Sequence, residues 1–177
     1  GEIDTIHGIY LYNNPDDTKL GNNTFSGHTT SDIYLSYCYC TSAAESLKFF
    51  GTTYSSLTFY SSFLINVYHK VNIRTLDEDS NAFSNVDLEI KDGVHTYYKT
   101  PHWGGTNSRT SDTGYASSEK YMRSGYYSSS STLTGNTITV KIAHGVRAKT
   151  TSFTFTSDTT KNIEVPIAAV ALGSKVI

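Results

Sequence analysis

The chain has 177 residues and a formal net charge of −2, which suits one ordinary domain or two small ones. Only 17% of residues are charged against 37% hydrophobic, too few and too balanced for nucleic-acid binding by counterion release. No apolar run approaches the roughly 18 residues of a membrane-spanning helix, and helix formers are sparse, with Gln absent. What remains is an all-β chain rich in Ser, Thr and Tyr, a composition expected outside the cell. A start at Gly1, without Met or a charged-plus-apolar leader, is expected of a processed chain or an excised piece.

The first third repeats itself. Ile9-Tyr10-Leu11 returns as Ile33-Tyr34-Leu35 and, more loosely, as Leu57-Thr58-Phe59, at a spacing of 24. Phe25 and Phe49 are also 24 apart. Short β-type runs between Asn, Gly, Asp, Ser and Thr turns at such a period suggest coils of a β-solenoid, in which each rung pairs only with its neighbours. Ordinary antiparallel strands are the alternative. Two or three rungs bury little core, so the segment 1–62 is expected to stack on something further. It carries one sequon, Asn22-Asn23-Thr24. It also carries Cys38 and Cys40, separated by one residue. On a strand these sit at the long edge of disulfide geometry and cannot by themselves complete a zinc site. Buried thiols, cross-links to another chain, and metal or redox chemistry stay open.

From Phe63 the pattern changes to period-two alternation: Phe63, Ile65, Val67, Val71 and Ile73, then Val86, Leu88 and Ile90. Ile138, Val140 and Ile142 follow, then Phe153 and Phe155, then Ile163 and Val165. Turn signals separate them at Asp77–Asn81 and Lys91-Asp92-Gly93. Short alternating strands of this kind predict an antiparallel β-sandwich over 63–166. The apolar run from Val165 to Leu172 predicts a C-terminal strand or tail over 167–177. It would complete this sandwich or add to the edge of a neighbouring subunit.

Two resemblances attach to these segments. Gly8 to Asn14 and Asn22 to Gly27 resemble closing rungs of right-handed parallel β-helices in archaeal and bacterial surface proteins. The stretch Leu76 to Val86 resembles the opening of carboxypeptidase-regulatory-like (transthyretin-like) Ig-type domains. Thr110–Ala116, His144-Gly145-Val146 and Asp158-Thr159-Thr160 are similar to their later turns. Ser80 stands where that family usually has Gly, and Ala82 where it has Pro. Thr96–Ser108 and Ser117–Gly135 read as insertions. The resemblance implies an Ig-like fold and a mostly structural role.

No nucleophile elbow, phosphate loop, zinc-protease motif or dinucleotide fingerprint occurs, so the chain is not expected to be an enzyme. No cofactor is expected either. Asp77 and Asp79 are candidate oxygen ligands for Ca²⁺, in a turn lacking the spacing of a known calcium loop. Tyr97, Tyr98, Trp103, Tyr126 and Tyr127 cluster in or beside the two insertions and are candidates for stacking on a glycan. The leading expectation is a structural subunit of an extracellular layer, sheath, tube or filament at the cell surface. It would be a homo-oligomer built by sheet stacking and strand addition. An adhesin or carbohydrate-binding module, and an accessory domain of a secreted hydrolase, are the alternatives.

Overall fold

The computed structural model describes residues 7–12, 19–27, 31–36, 47–59, 64–117, 119–128 and 132–167. The protein is all-β, as its composition predicts, with no α-helix among the described residues. In chain order the strands are β1 (His7–Tyr12), β2 (Lys19–Gly21), β3 (Ser31–Ser36), β4 (Leu47–Phe50), β5 (Leu57–Phe59) and β6 (Leu64–Leu76). Then come β7 (Asp87–Lys91), β8 (Thr96–Lys99), β9 (Lys120–Ser128), β10 (Thr134–Gly135), β11 (Ile138–His144), β12 (Arg147–Phe153) and β13 (Thr159–Glu164). A 3₁₀ turn, Pro101–Trp103, follows β8.

The contacts group the chain into two compact units that interleave in sequence. One holds Gly1–Val71, Tyr121–Thr137 and Thr154–Thr159; the other holds Asn72–Lys120, Ile138–Phe153 and Thr160–Ile177. This differs from the consecutive division at 62, 166 and 177. The reason is local: β6 is one unbroken strand whose first part belongs to the first unit and whose end belongs to the second.

The first unit is built on the repeat. β1, β3 and β5 pair in parallel at an offset of 24, with Ile9 opposite Ile33 opposite Leu57, and Leu11 opposite Leu35 opposite Phe59. A second parallel ladder joins β2, β4 and the start of β6, with Leu20 opposite Phe49 opposite Val67. Each successive coil therefore gives one strand to each sheet. The 24-residue spacing does not carry over to the second sheet: Leu20 to Phe49 is 29, and Phe25 lies beside Thr53, whose carbonyl accepts its N–H, rather than beside Phe49. From Ile9 to Leu20 is 11 residues and from Ile33 to Phe49 is 16, so the second coil is longer between its strands. Ile33, Leu35, Leu47, Phe49, Ile65, Val67 and Tyr127 form a buried core in this unit. β9 flanks β6 in the second sheet, and β10 pairs antiparallel with β9. The stretch read as an insertion, Ser117–Gly135, contains a nine-residue strand whose alternation is interrupted by Arg123 and Ser124, both buried.

The second unit centres on an antiparallel sheet in the order β12-β11-β7-β8 and is β-sandwich-like in character. Ile138, Val140 and Ile142 share a face with Leu88 and Ile90, since Val140 is opposite Ile90 and Ile142 opposite Leu88. The other face pairs charges: Lys141 is opposite Glu89 and its ammonium lies 2.9 Å from the carboxylate. The Lys141 ammonium beside it holds the Glu89 carboxyl below its usual pKa. Asp87 is pushed up by burial, but hydrogen bonds from Thr100 and Arg109 outweigh this and lower it. The Asp77–Asn81 turn is tied by the Asp77 carboxylate, which accepts the N–H groups of Asp79 at 3.0 Å and Asn81 at 2.8 Å. Ser80 there has φ of 66°, the left-handed conformation that glycine adopts freely.

Candidate functional site

The sequence-derived aromatic candidates fall into both units. Tyr98 is on β8 and only 1% exposed; its hydroxyl donates to the Ser108 carbonyl at 2.7 Å and is shared with Ser117. It is a core residue, not a platform. The Tyr97 hydroxyl donates to Asp92 at 2.7 Å, within the tight Lys91-Asp92-Gly93 turn. Trp103 lies under the Lys141 ammonium, 5.4 Å from the ring centre, with His102 edge-on at 4.6 Å. Tyr126 is half-buried beneath the Arg123 guanidinium. These partners exist because Tyr97 and Tyr98 sit on a strand and not in an open loop.

The remaining candidates are placed as follows. Asn22 is exposed, with φ of 53°, and its side-chain oxygen accepts from Tyr121 at 3.4 Å. Asp77 spends its carboxylate on the turn, and Asp79 is exposed. Among the described residues no group of three or more His, Cys, Asp or Glu is arranged to hold a metal ion. Cys38 and Cys40, and the tail beyond residue 167, lie outside the described residues.

Tyr127 leads elsewhere. It borders an open cleft of about 440 Å³ in the first unit. The walls are the 51–54 turn, the 156–158 loop, and the side chains of Val67, His69, Tyr127 and Leu133. Gly51 makes the first wall possible: its φ is 58°, and a Cβ there would lie 3.0 Å from the Asn22 side chain. The second wall is pinned where the Lys70 N–H donates to the Asp158 carboxylate at 2.9 Å.

Inside the cleft the polar groups are oriented. His69 Nδ1 lies 2.9 Å from Ser124 Oγ, and that hydroxyl donates to the Val67 carbonyl at 3.1 Å. Ser124 therefore accepts the Nδ1 proton, which leaves Nε2 as the acceptor of the ring. Phe155 packs edge-on against the imidazole at 6.4 Å. A Ser-His-Asp set is present in name only, because Ser124 is 1% exposed and its proton is committed to the backbone. Opposite, the Tyr54 hydroxyl donates to the Tyr127 hydroxyl at 2.7 Å, so the Tyr127 proton is left to point onward. Burial first, and then Tyr127, push the Tyr54 pKa far above its usual value, so it stays protonated in any ordinary buffer.

Burial lowers the pKa of His69, against an opposing pull from the Asp158 carboxylate. A lowered folded pKa means that the unfolded chain takes up this proton first on acidification. The contribution of His69 is then full above the unfolded value near 6.5 and is lost as the pH falls from there through the folded pKa. The melting temperature should fall more steeply between pH 7.5 and pH 5 for the native chain than for His69→Gln. Equal slopes in the two thermal series would contradict the assignment.

The sequence reading missed His69, Asp158 and Tyr54. One signal was available. Positions 65, 67, 69, 71 and 73 share one side of β6, and His69 is the single polar residue among Ile65, Val67, Val71 and Ile73. Compared with known proteins, the chain matches no family model and no curated sequence.

Proposed function

We propose that this chain is a structural module of an extracellular, cell-surface assembly in which copies associate by stacking β-coils. The reading is supported above all by the in-register parallel ladder, Ile9 to Ile33 to Leu57, in which like residues meet at like positions. A coil of this kind presents its backbone donors and acceptors to the next coil. β1 and β2 each pair with one strand among the described residues, whereas β6 is flanked by β9. Among the described residues the first coil is open in both sheets and the third only at β5, so the first coil is the edge that a second copy would extend. A net charge of −2 offers little repulsion between copies. Two such edges pairing with each other close a dimer; a layer, sheath or tube needs one further contact. An Ig-like assignment of the second unit belongs to the same reading and draws on its antiparallel sheet.

Light scattering on eluted protein, with negative-stain images, tests this. Assembly should rise with concentration in the micromolar range. It should be lost in Tyr10→Lys, which puts a charge in the edge strand. A monomer at every concentration, salt and calcium level sinks the proposal.

A further inference from the structure

We propose that the cleft of the first unit is a binding site for a neutral saccharide, held by Tyr54, Tyr127, His69 and Asp158. This goes beyond the stacking role and uses none of the coil edges. The shape comes first: about 440 Å³ lies within the roughly 300–1,000 Å³ of sites that hold a small ligand.

The chemistry of the walls selects the ligand. Tyr127 offers a hydroxyl proton, because its oxygen already accepts from Tyr54. His69 offers an acceptor at Nε2, because Nδ1 is committed to Ser124. Asp158 offers its second carboxylate oxygen, the first being held by Lys70. Hydroxyls of Thr53, Thr156 and Ser157 line the same space. One fixed donor, two fixed acceptors and several adaptable hydroxyls suit a ligand whose groups each donate and accept, which is the character of a sugar ring. Two tyrosine rings beside them supply apolar surface for its C–H faces.

Other ligand classes fit less well. Among the described residues no Lys or Arg lines the cleft, and the Asp158 carboxylate repels a phosphate or a carboxylate. Among the described residues no third His, Cys, Asp or Glu joins His69 and Asp158 to hold a divalent cation. The fixed polar groups also predict selectivity, since a sugar that leaves them unpaired forfeits their hydrogen bonds.

The test uses the full chain, isotope-labelled, titrated with the methyl glycosides of glucose, galactose, mannose and N-acetylglucosamine. Each is taken to about 20 mM, well beyond a millimolar Kd. At least one should shift the amide signals of residues 51–54 and 156–158, and should transfer saturation from tyrosine protons. Tyr127→Phe should weaken that binding about tenfold or more. Asp158→Asn, an exposed position whose amide oxygen still accepts from Lys70, should do likewise without loss of fold. Trp103→Ala should leave it unchanged. The proposal is overturned by silence with all four glycosides, by shifts centred on Trp103, by binding indifferent to both cleft variants, or by equal shifts with inorganic phosphate.

Discussion

Phe49→Ala is expected to destabilise the first unit by about 3–5 kcal/mol, the usual cost of emptying a buried aromatic site. Phe49 is fully buried at the centre of the second ladder, between Leu20 and Val67 on the neighbouring coils. Parallel coils cannot slide to refill such a gap, because the first ladder holds their register with its own hydrogen bonds. The ring also meets Tyr54 edge-on at 5.6 Å, so its loss frees a wall of the cleft. Denaturant unfolding followed by tyrosine fluorescence reads the stability. A change below about 1 kcal/mol would mean that the coils do not pack as described.

Asp32→Ala should cost about 3 kcal/mol through a different route. Asp32 is only 1% exposed, in the middle strand of the first ladder. One carboxylate oxygen accepts the Ser55 N–H at 2.6 Å, the Ser55 hydroxyl at 2.7 Å and the Ser56 N–H at 3.3 Å. The Ser56 hydroxyl returns a bond at 2.8 Å from the Asp32 N–H. This clamp joins the turn before β5 to the coil beneath it. Alanine removes the acceptor of the Ser55 and Ser56 N–H groups on the side that Asp32 buries. Asp32→Asn keeps an accepting oxygen and should lose clearly less, so the gap between the two variants in a urea titration isolates the hydrogen bonds from packing. Equal losses would assign the effect to volume alone.

The elements of the fold differ in how far they could be foreseen. The Ile-Tyr-Leu repeat gave the register of β1, β3 and β5 because parallel coils stack like on like, so period in sequence becomes offset in space. Phe25 and Phe49 obeyed the same spacing without being neighbours, because a coil can lengthen between its strands without disturbing either ladder. The alternation through Leu88, Ile90, Val140 and Ile142 was legible for a similar reason: every second residue of a half-buried strand must be apolar. Tyr98 and Tyr127 broke the expectation that loop aromatics lie open. Both sit on strands, and a tyrosine can be buried wherever its hydroxyl finds a partner.

The candidate site was almost wholly illegible. Tyr54, His69, Tyr127 and Asp158 span 105 positions of a 177-residue chain and share no motif or fixed spacing. By itself the sequence determined an all-β protein, a repeat of one period in its first third and the inward faces of its strands, since these follow from local repetition and alternation. Only the tertiary structure decided that the segments 121–137 and 154–159 return to the first unit. It alone also set an imidazole, two phenols and a carboxylate around one cleft. Such meetings depend on where distant strands pair, and that choice is made by the packing of the whole unit.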